Sequence, residues 1–163
     1  MPFTPFHVGP ALLIHGILAF LDPIGLIFGS VLVDLEPMII LLFLRAGALH
    51  GPVHSIVGVI LLLPLVFAVT LITRRLFPFV DSLFLSKSKK FTYQTTVLSI
   101  LIGVYSHIIL DSFLYPELNL LWPLPYWNPL LYGLSGVLVY DLCIAAFVIG
   151  LLLVLLRRLK KAL

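Results

Sequence analysis

Two histidines in LHGPVHS, His50 and His54, are separated by four positions, and so are His107 and Asp111 in SHIILD. On an α-helix that spacing puts both side chains of a pair on one face, about 6 Å apart, close enough to grip one ion or two adjacent ions. Asp34 and Glu36 in SVLVDLEPMI are two apart, which does not place both on one face of a continuous helix. Pro37, next in the chain, permits a local break that would re-aim Glu36. With His7 the set holds four histidines and three carboxylates. Imidazole and carboxylate are ligands for zinc, iron or manganese, and this set exceeds what one tetrahedral zinc requires, so a site for two divalent ions is expected.

The setting of these residues is apolar. The chain of 163 residues is 61% hydrophobic and 10% charged, with a mean hydropathy of +1.20, against roughly 25% charged in soluble domains. It reads as one integral membrane domain over 1–163, all-α and polytopic. Spanning the hydrocarbon takes about 20 apolar residues as a helix, and Ile24 to Leu44, Val53 to Thr73, Thr92 to Tyr115 and Tyr132 to Leu156 qualify. Phe6 to Leu21 is shorter and gives a first helix, tilted or partly inserted, so four to five transmembrane helices are expected. Thr4 and Pro5 start it, and Asp22 and Pro23 end it. The N-terminus has no basic stretch and no small-residue cleavage site, so it reads as part of the mature fold.

Nine of the ten basic residues fall in two places: Arg74, Arg75, Lys87, Lys89 and Lys90 between two spans, and Arg157, Arg158, Lys160 and Lys161 in the tail; Arg45 stands apart. This is the asymmetry of cytoplasmic ends, and it reports topology rather than a nucleic-acid partner. A multi-pass protein of the cytoplasmic membrane with a cytoplasmic C-terminus follows. Alternation then puts His7, His50 and His54 at external helix ends and His107 and Asp111 in the outer half of their helix, with Asp34 and Glu36 near the middle of theirs. All seven can meet at one depth, facing the external side. The loop from Tyr115 to Tyr132 is external, and Trp122, Tyr126 and Trp127 suit the headgroup layer as anchors, with a lid over the site as the second reading.

A single buried histidine is more often a hydrogen-bonded packing residue than a ligand. Seven ionisable residues on one side of an apolar protein favour a metal site over a structural polar network, because each mid-membrane charge costs about 2.5 to 3.5 kcal/mol on insertion scales. His15, rotated by about 80° from His7 at 100° per residue, reads as a supporting or packing residue. Asp141 can orient a ligand histidine or bond between helices, Glu117 reads as a solvated loop residue, and Cys143 as a small apolar-run residue without a disulfide partner.

In order along the chain, TPFHVGPA with His7, GSVLVDLEP with Asp34 and Glu36, HGPVHS with His50 and His54, and SHIILD with His107 and Asp111 resemble the motifs of the YdjM-like family of membrane-bound metal-dependent hydrolases. Pro37 stands where many relatives carry His. The resemblance covers most of the chain and implies a metal-dependent hydrolase. The late HxxxD, with earlier His and Asp, also looks remotely like the site of zinc-dependent phospholipase C.

The expected activity is hydrolysis of a phosphate ester of a lipid or lipid-linked substrate, with zinc as the first choice of ion. Asp34, His107 and Asp111 are assigned to one ion and His7, His50 and His54 to the other, with Asp111 or Glu36 as bridge or general base. A zinc protease is disfavoured because HGPVH lacks the glutamate of HExxH. The main alternative is a metal-ion or proton transporter using the same cluster. Transport calls for polar residues continuing to the cytoplasmic face, whereas LLLPLVFAVTLIT and FVIGLLLVLL are almost wholly apolar. A third reading is a membrane protein that holds a metal only for folding.

Overall fold

The structure, a computed structural model, describes residues 5–44, 48–84 and 91–162. Arg45, Lys87, Lys89 and Lys90, and the side chain of Lys161, lie outside the described residues. Those described form seven α-helices and no strand: α1 Pro5–Ile17, α2 Pro23–Leu32, α3 Leu35–Ile39, α4 Val59–Leu76, α5 Phe79–Phe84, α6 Tyr93–Ser112 and α7 Gly136–Ala162. Four stretches, Pro23–Leu44, Val59–Leu76, Tyr93–Ser112 and Gly136–Lys160, are long and apolar enough to cross a membrane, as an all-α membrane fold requires. At 13 residues, α1 is about 20 Å long and is not among them.

Local chemistry sets the helix starts. Asp22 caps α2, its Oδ1 accepting from the amides of Ile24 and Gly25, with Pro23 in the first turn where its missing N–H costs nothing. Thr92 caps α6 through the amide of Thr95. α1 lies along α7 and α2 along α6, and α4 joins the latter pair. Both main crossings bring backbones together. Gly9 faces the carbonyl of Cys143 across the first, and Gly103 faces the carbonyl of Leu26 across the second, where a Cβ would collide with main chain. Cys143 is accordingly a core residue.

The span Pro23–Leu44 is not one helix. α2 stops at Leu32, α3 begins at Leu35, and a π-helical turn, Ile40–Leu44, follows. The sequence suggests a break at Pro37; the structure puts it one turn earlier, at Val33 and Asp34. A proline ring clashes with the carbonyl four residues before it, here that of Val33, so the cost appears ahead of the proline. The next span, Val59–Leu76, also begins later than its apolar run. Pro52–His54 is a short 3-10 turn, Ser55 Oγ then accepts from the amide of Gly58 at 2.9 Å, and α4 starts only at Val59. His50 and His54 therefore share a loop, not the face of an α-helix.

The ends of the bundle differ. Asp22 is fully buried; its Oδ1 accepts from Arg74 Nη2 at 2.6 Å, its Oδ2 accepts from Thr96 at 2.7 Å, and its backbone amide donates to Ser99. Arg74 also reaches Asp81. Arg157 at the same end donates to the carbonyls of His15 and Ile17, and His15 Nδ1 pairs with the carbonyl of Leu21. This end is polar, contrary to the apolar character read from its helices. His15 packs there rather than beside the other histidines. Thr96 and His107 are eleven residues apart on α6, about 16 Å of helix, and between those layers Leu26, Ile100 and Val104 are fully buried.

Candidate metal centre

At the other end of α6 the structure brings together all seven residues singled out by type and spacing. α6 supplies His107 and Asp111, one turn apart, and His107 Nε2 lies 3.2 Å from Asp111 Oδ2. The break after α2 turns Asp34 inward, with Oδ1 3.5 Å from His107 Nε2. α1 brings His7, whose ring stacks on His107 with centroids 3.8 Å apart and whose Nε2 is 3.2 Å from Asp111 Oδ1. From the loop before α4 come His50, with Nε2 3.7 Å from Asp111 Oδ2, and His54, edge-on to His50. His7, His50, His54, His107 and Asp111 are all buried.

One ligand atom from each of Asp34, His54, His107 and Asp111 lies within 4.8 Å of the others. Tetrahedral zinc ligands at ~2.1 Å stand about 3.4 Å apart, so a small contraction closes the group on an ion. His54 thus belongs with Asp34, His107 and Asp111, which changes the division of ligands expected from the sequence. His7 faces the other oxygen of Asp111, Oδ1, while His50 faces Oδ2, the oxygen that His107 also faces.

Three of the four rings are held by the nitrogen that points away from the centre. His107 Nδ1 donates to the carbonyl of Ser30 at 2.7 Å, His54 Nδ1 to Glu36 Oε2 at 2.7 Å, and His50 Nδ1 to Glu117 Oε1 at 2.8 Å. An oxygen acceptor at Nδ1 fixes the tautomer and leaves the Nε2 lone pair facing inward, the arrangement that supports metal-ligating imidazoles. Burial pulls the His54 imidazole below its usual range against the upward pull of Glu36, which favours the neutral, ligating form. Nε2 of His54 and His107, both ring nitrogens of His7 and Oδ1 of Asp111 are buried and make no hydrogen bond among the described residues. Such orphaned groups are uncommon in folded proteins, and these five are all metal-ligating atoms on facing side chains. The donor set fits a divalent cation.

Glu36 does not join the group of four. Its carboxylate accepts from His54 and from the amides of Gly51 and Val53 at 3.1 and 3.0 Å, tying the HGPVH loop to the broken span. Glu117, read from the sequence as solvated, instead anchors His50. An acid within an apolar loop was the signal for it, and only the fold supplies its partner. Ser30 acts through its carbonyl, which leaves no mark in a side-chain pattern. Asp141 is exposed on α7 and does not orient a ligand histidine. Trp122, Tyr126 and Trp127 are exposed, while Leu118 and Leu120 from the same loop are buried in the core against Ile108 and Val59.

Compared with known proteins, the chain matches no family model, no curated protein and no solved structure.

Proposed function

We propose that this is a membrane-embedded, metal-dependent hydrolase acting on a phosphate ester of a lipid or lipid-linked substrate. The observation that carries the reading is the group Asp34, His54, His107 and Asp111, its last three members buried, with inward lone pairs and outward nitrogens already fixed. Asp34, His54, His107 and Asp111 would hold one ion, and His7 and His50 would hold a second, with Asp111 shared between them. Zinc suits this mixed imidazole and carboxylate set. When bound, two such ions supply an acidified water and positive charge for a phosphoryl group.

The charge balance supports two ions. Asp34, Glu36, Asp111 and Glu117 carry four negative charges when ionised, which two divalent cations offset; with one, a phosphate would meet net negative charge. The chain's own residues divide the remaining work. Glu36 and Glu117 orient the imidazoles, and Asp34, whose side chain is 18% exposed, stands at the open side of the cluster. The ordered motifs, which resemble those of the YdjM-like hydrolases, support the same reading. The basic residues Arg74, Arg157 and Arg158 at the opposite end favour an external-facing site in the cytoplasmic membrane with a cytoplasmic C-terminus.

Transport through the same cluster is the competing account. The apolar layer of Leu26, Ile100 and Val104 between the two polar ends argues against a continuous path. The deciding experiment supplies zinc- or manganese-loaded protein with lysophospholipid phosphates and alkyl phosphates in micelles and follows phosphate or alcohol release. In parallel, ion flux into liposomes is measured. Hydrolysis lost in Asp111→Ala supports the proposal; flux without cleavage of any ester overturns it.

A further inference from the structure

Residues 113–135 join the end of α6 to the start of α7, so they lie where two apolar spans end. From 118 to 135 the stretch carries no Asp, Glu, Lys, Arg or His, and it holds Trp122 and Trp127, the chain's two tryptophans. Its backbone is folded on itself. Asn119 Oδ1 accepts from the amides of Leu121 and Trp127, and Asn119 Nδ2 donates to the carbonyl of Leu124, so one side chain gathers three points of the stretch into a clasp. The amide of Leu120 donates to the carbonyl of Trp127, which closes it. Asn128 ties the clasp back to α6 through the carbonyls of Ser112 and Tyr115.

The clasp has two sides. Inward, Leu118 and Leu120 are buried in the core, whereas Trp122, Leu124 and Trp127 are exposed. The inner side also reaches the metal centre twice. Glu117 Oε1 accepts from His50 Nδ1 at 2.8 Å, and the carbonyl of Leu120 accepts from the amide of Ile56, two residues past His54, at 2.9 Å. The segment that carries both histidines is therefore held at His50 and just beyond His54 by one loop.

We propose that this loop is a membrane-seated platform: Trp122, Leu124 and Trp127 dock into the headgroup layer of the bilayer, and Asn119 transmits that seat to the segment bearing His50 and His54. An exposed apolar surface marks an interaction or membrane site. Lipid is the occupant that fits here, because the surface is uncharged, continuous with the ends of two spans, and supplied with indole rings whose apolar body and N–H suit the boundary between hydrocarbon and water. The proposal rests on the metal centre but not on the reaction assigned to it. Asn119 is a positioning residue, acting on the centre through Glu117 and Leu120 at either side of it in the chain.

The test uses the full chain in phosphatidylcholine vesicles and reads tryptophan emission, which in this chain comes from the loop alone. Lipid brominated near the headgroup is expected to quench the wild type, Trp122→Phe and Trp127→Phe more strongly than lipid brominated near the chain end. Asn119→Ala, or Asn119→Ser should the alanine variant not fold, is expected to lose much of this quenching and to bind zinc about tenfold more weakly. Glu117→Ala should weaken zinc binding by a similar factor and leave the quenching unchanged. Emission quenched by aqueous iodide but not by brominated lipid overturns the membrane seat, and so does protection from both, which would mark a protein covering the loop. Quenching lost in the Asn119 variant with zinc affinity unchanged overturns the coupling to the centre. A wild type whose tryptophans are quenched but which binds no metal overturns the metal centre, and the coupling with it.

Discussion

Glu36 and His54 lie on different segments, eighteen residues apart, and meet through a 2.7 Å hydrogen bond from His54 Nδ1 to the carboxylate. The same carboxylate holds two backbone amides of the loop that carries both His50 and His54. One acid on a broken membrane span therefore sets both the position of a loop and the tautomer of a ligand. Removing it in Glu36→Ala should weaken metal binding by about 10- to 100-fold, the usual effect of losing a partner that orients a ligand. Competition against a chelator of known affinity measures this; an unchanged affinity would show that the loop holds itself.

Gly51 offers an independent route to the same contact. A Cβ at this position would stand 2.6 Å from Glu36 Oε1, so Gly51→Ala must push the carboxylate away from the amide it now accepts from. The expected outcome is a loss of metal affinity approaching that of Glu36→Ala, and little further loss when the two are combined, since both break one contact. Additive losses in the double variant would contradict this.

The polar end around Asp22 should behave differently. Asp22→Ala leaves Arg74 with the Thr96 hydroxyl and the partly exposed Asp81, and breaking a buried ion pair in this way costs about 3 kcal/mol or somewhat more. Because the centre lies about 16 Å along α6 from this end, the folded fraction should retain full metal content. Unfolding in mixed detergent micelles reads the first quantity and elemental analysis the second; loss of metal without loss of stability would link the two ends after all.

Orientation can be tested on intact cells. With Cys143 replaced by Ala, a single cysteine at Tyr126, which is exposed, should react with an impermeant maleimide added from outside, and one at Lys160 should react only after permeabilisation. The reverse pattern would put the centre on the cytoplasmic side.

What could be read from the sequence was residue type and, through helix alternation, depth. His7, Asp34, Glu36, His50, His54, His107 and Asp111 could be gathered because ionisable groups are costly in an apolar chain and therefore conspicuous. Their local structure was less legible. The HGPVH spacing suits a helix, yet Gly51, Pro52 and Ser55 offer the backbone other partners, and Glu36 from elsewhere in the chain completes the loop. Pro37 marked a break whose position followed from the carbonyl it clashes with, one turn earlier. Glu117 and Asp22 escaped because a lone acid acquires meaning only from its partner, His50 for one and Arg74 for the other, more than fifty residues away in sequence. Hydropathy marked the apolar spans but could not show that Asp22, at a helix cap, would be buried.

The central claim is that these side chains hold metal, and the direct measurement is elemental analysis of protein purified without chelators, beside His107→Ala and Asp111→Ala. The account predicts up to two divalent ions per chain in the wild type, the loss of one on His107→Ala and of both on Asp111→Ala, whose carboxylate lies within 3.7 Å of His7, His50 and His107. A folded wild type without metal, or variants that retain the wild-type content, would contradict it.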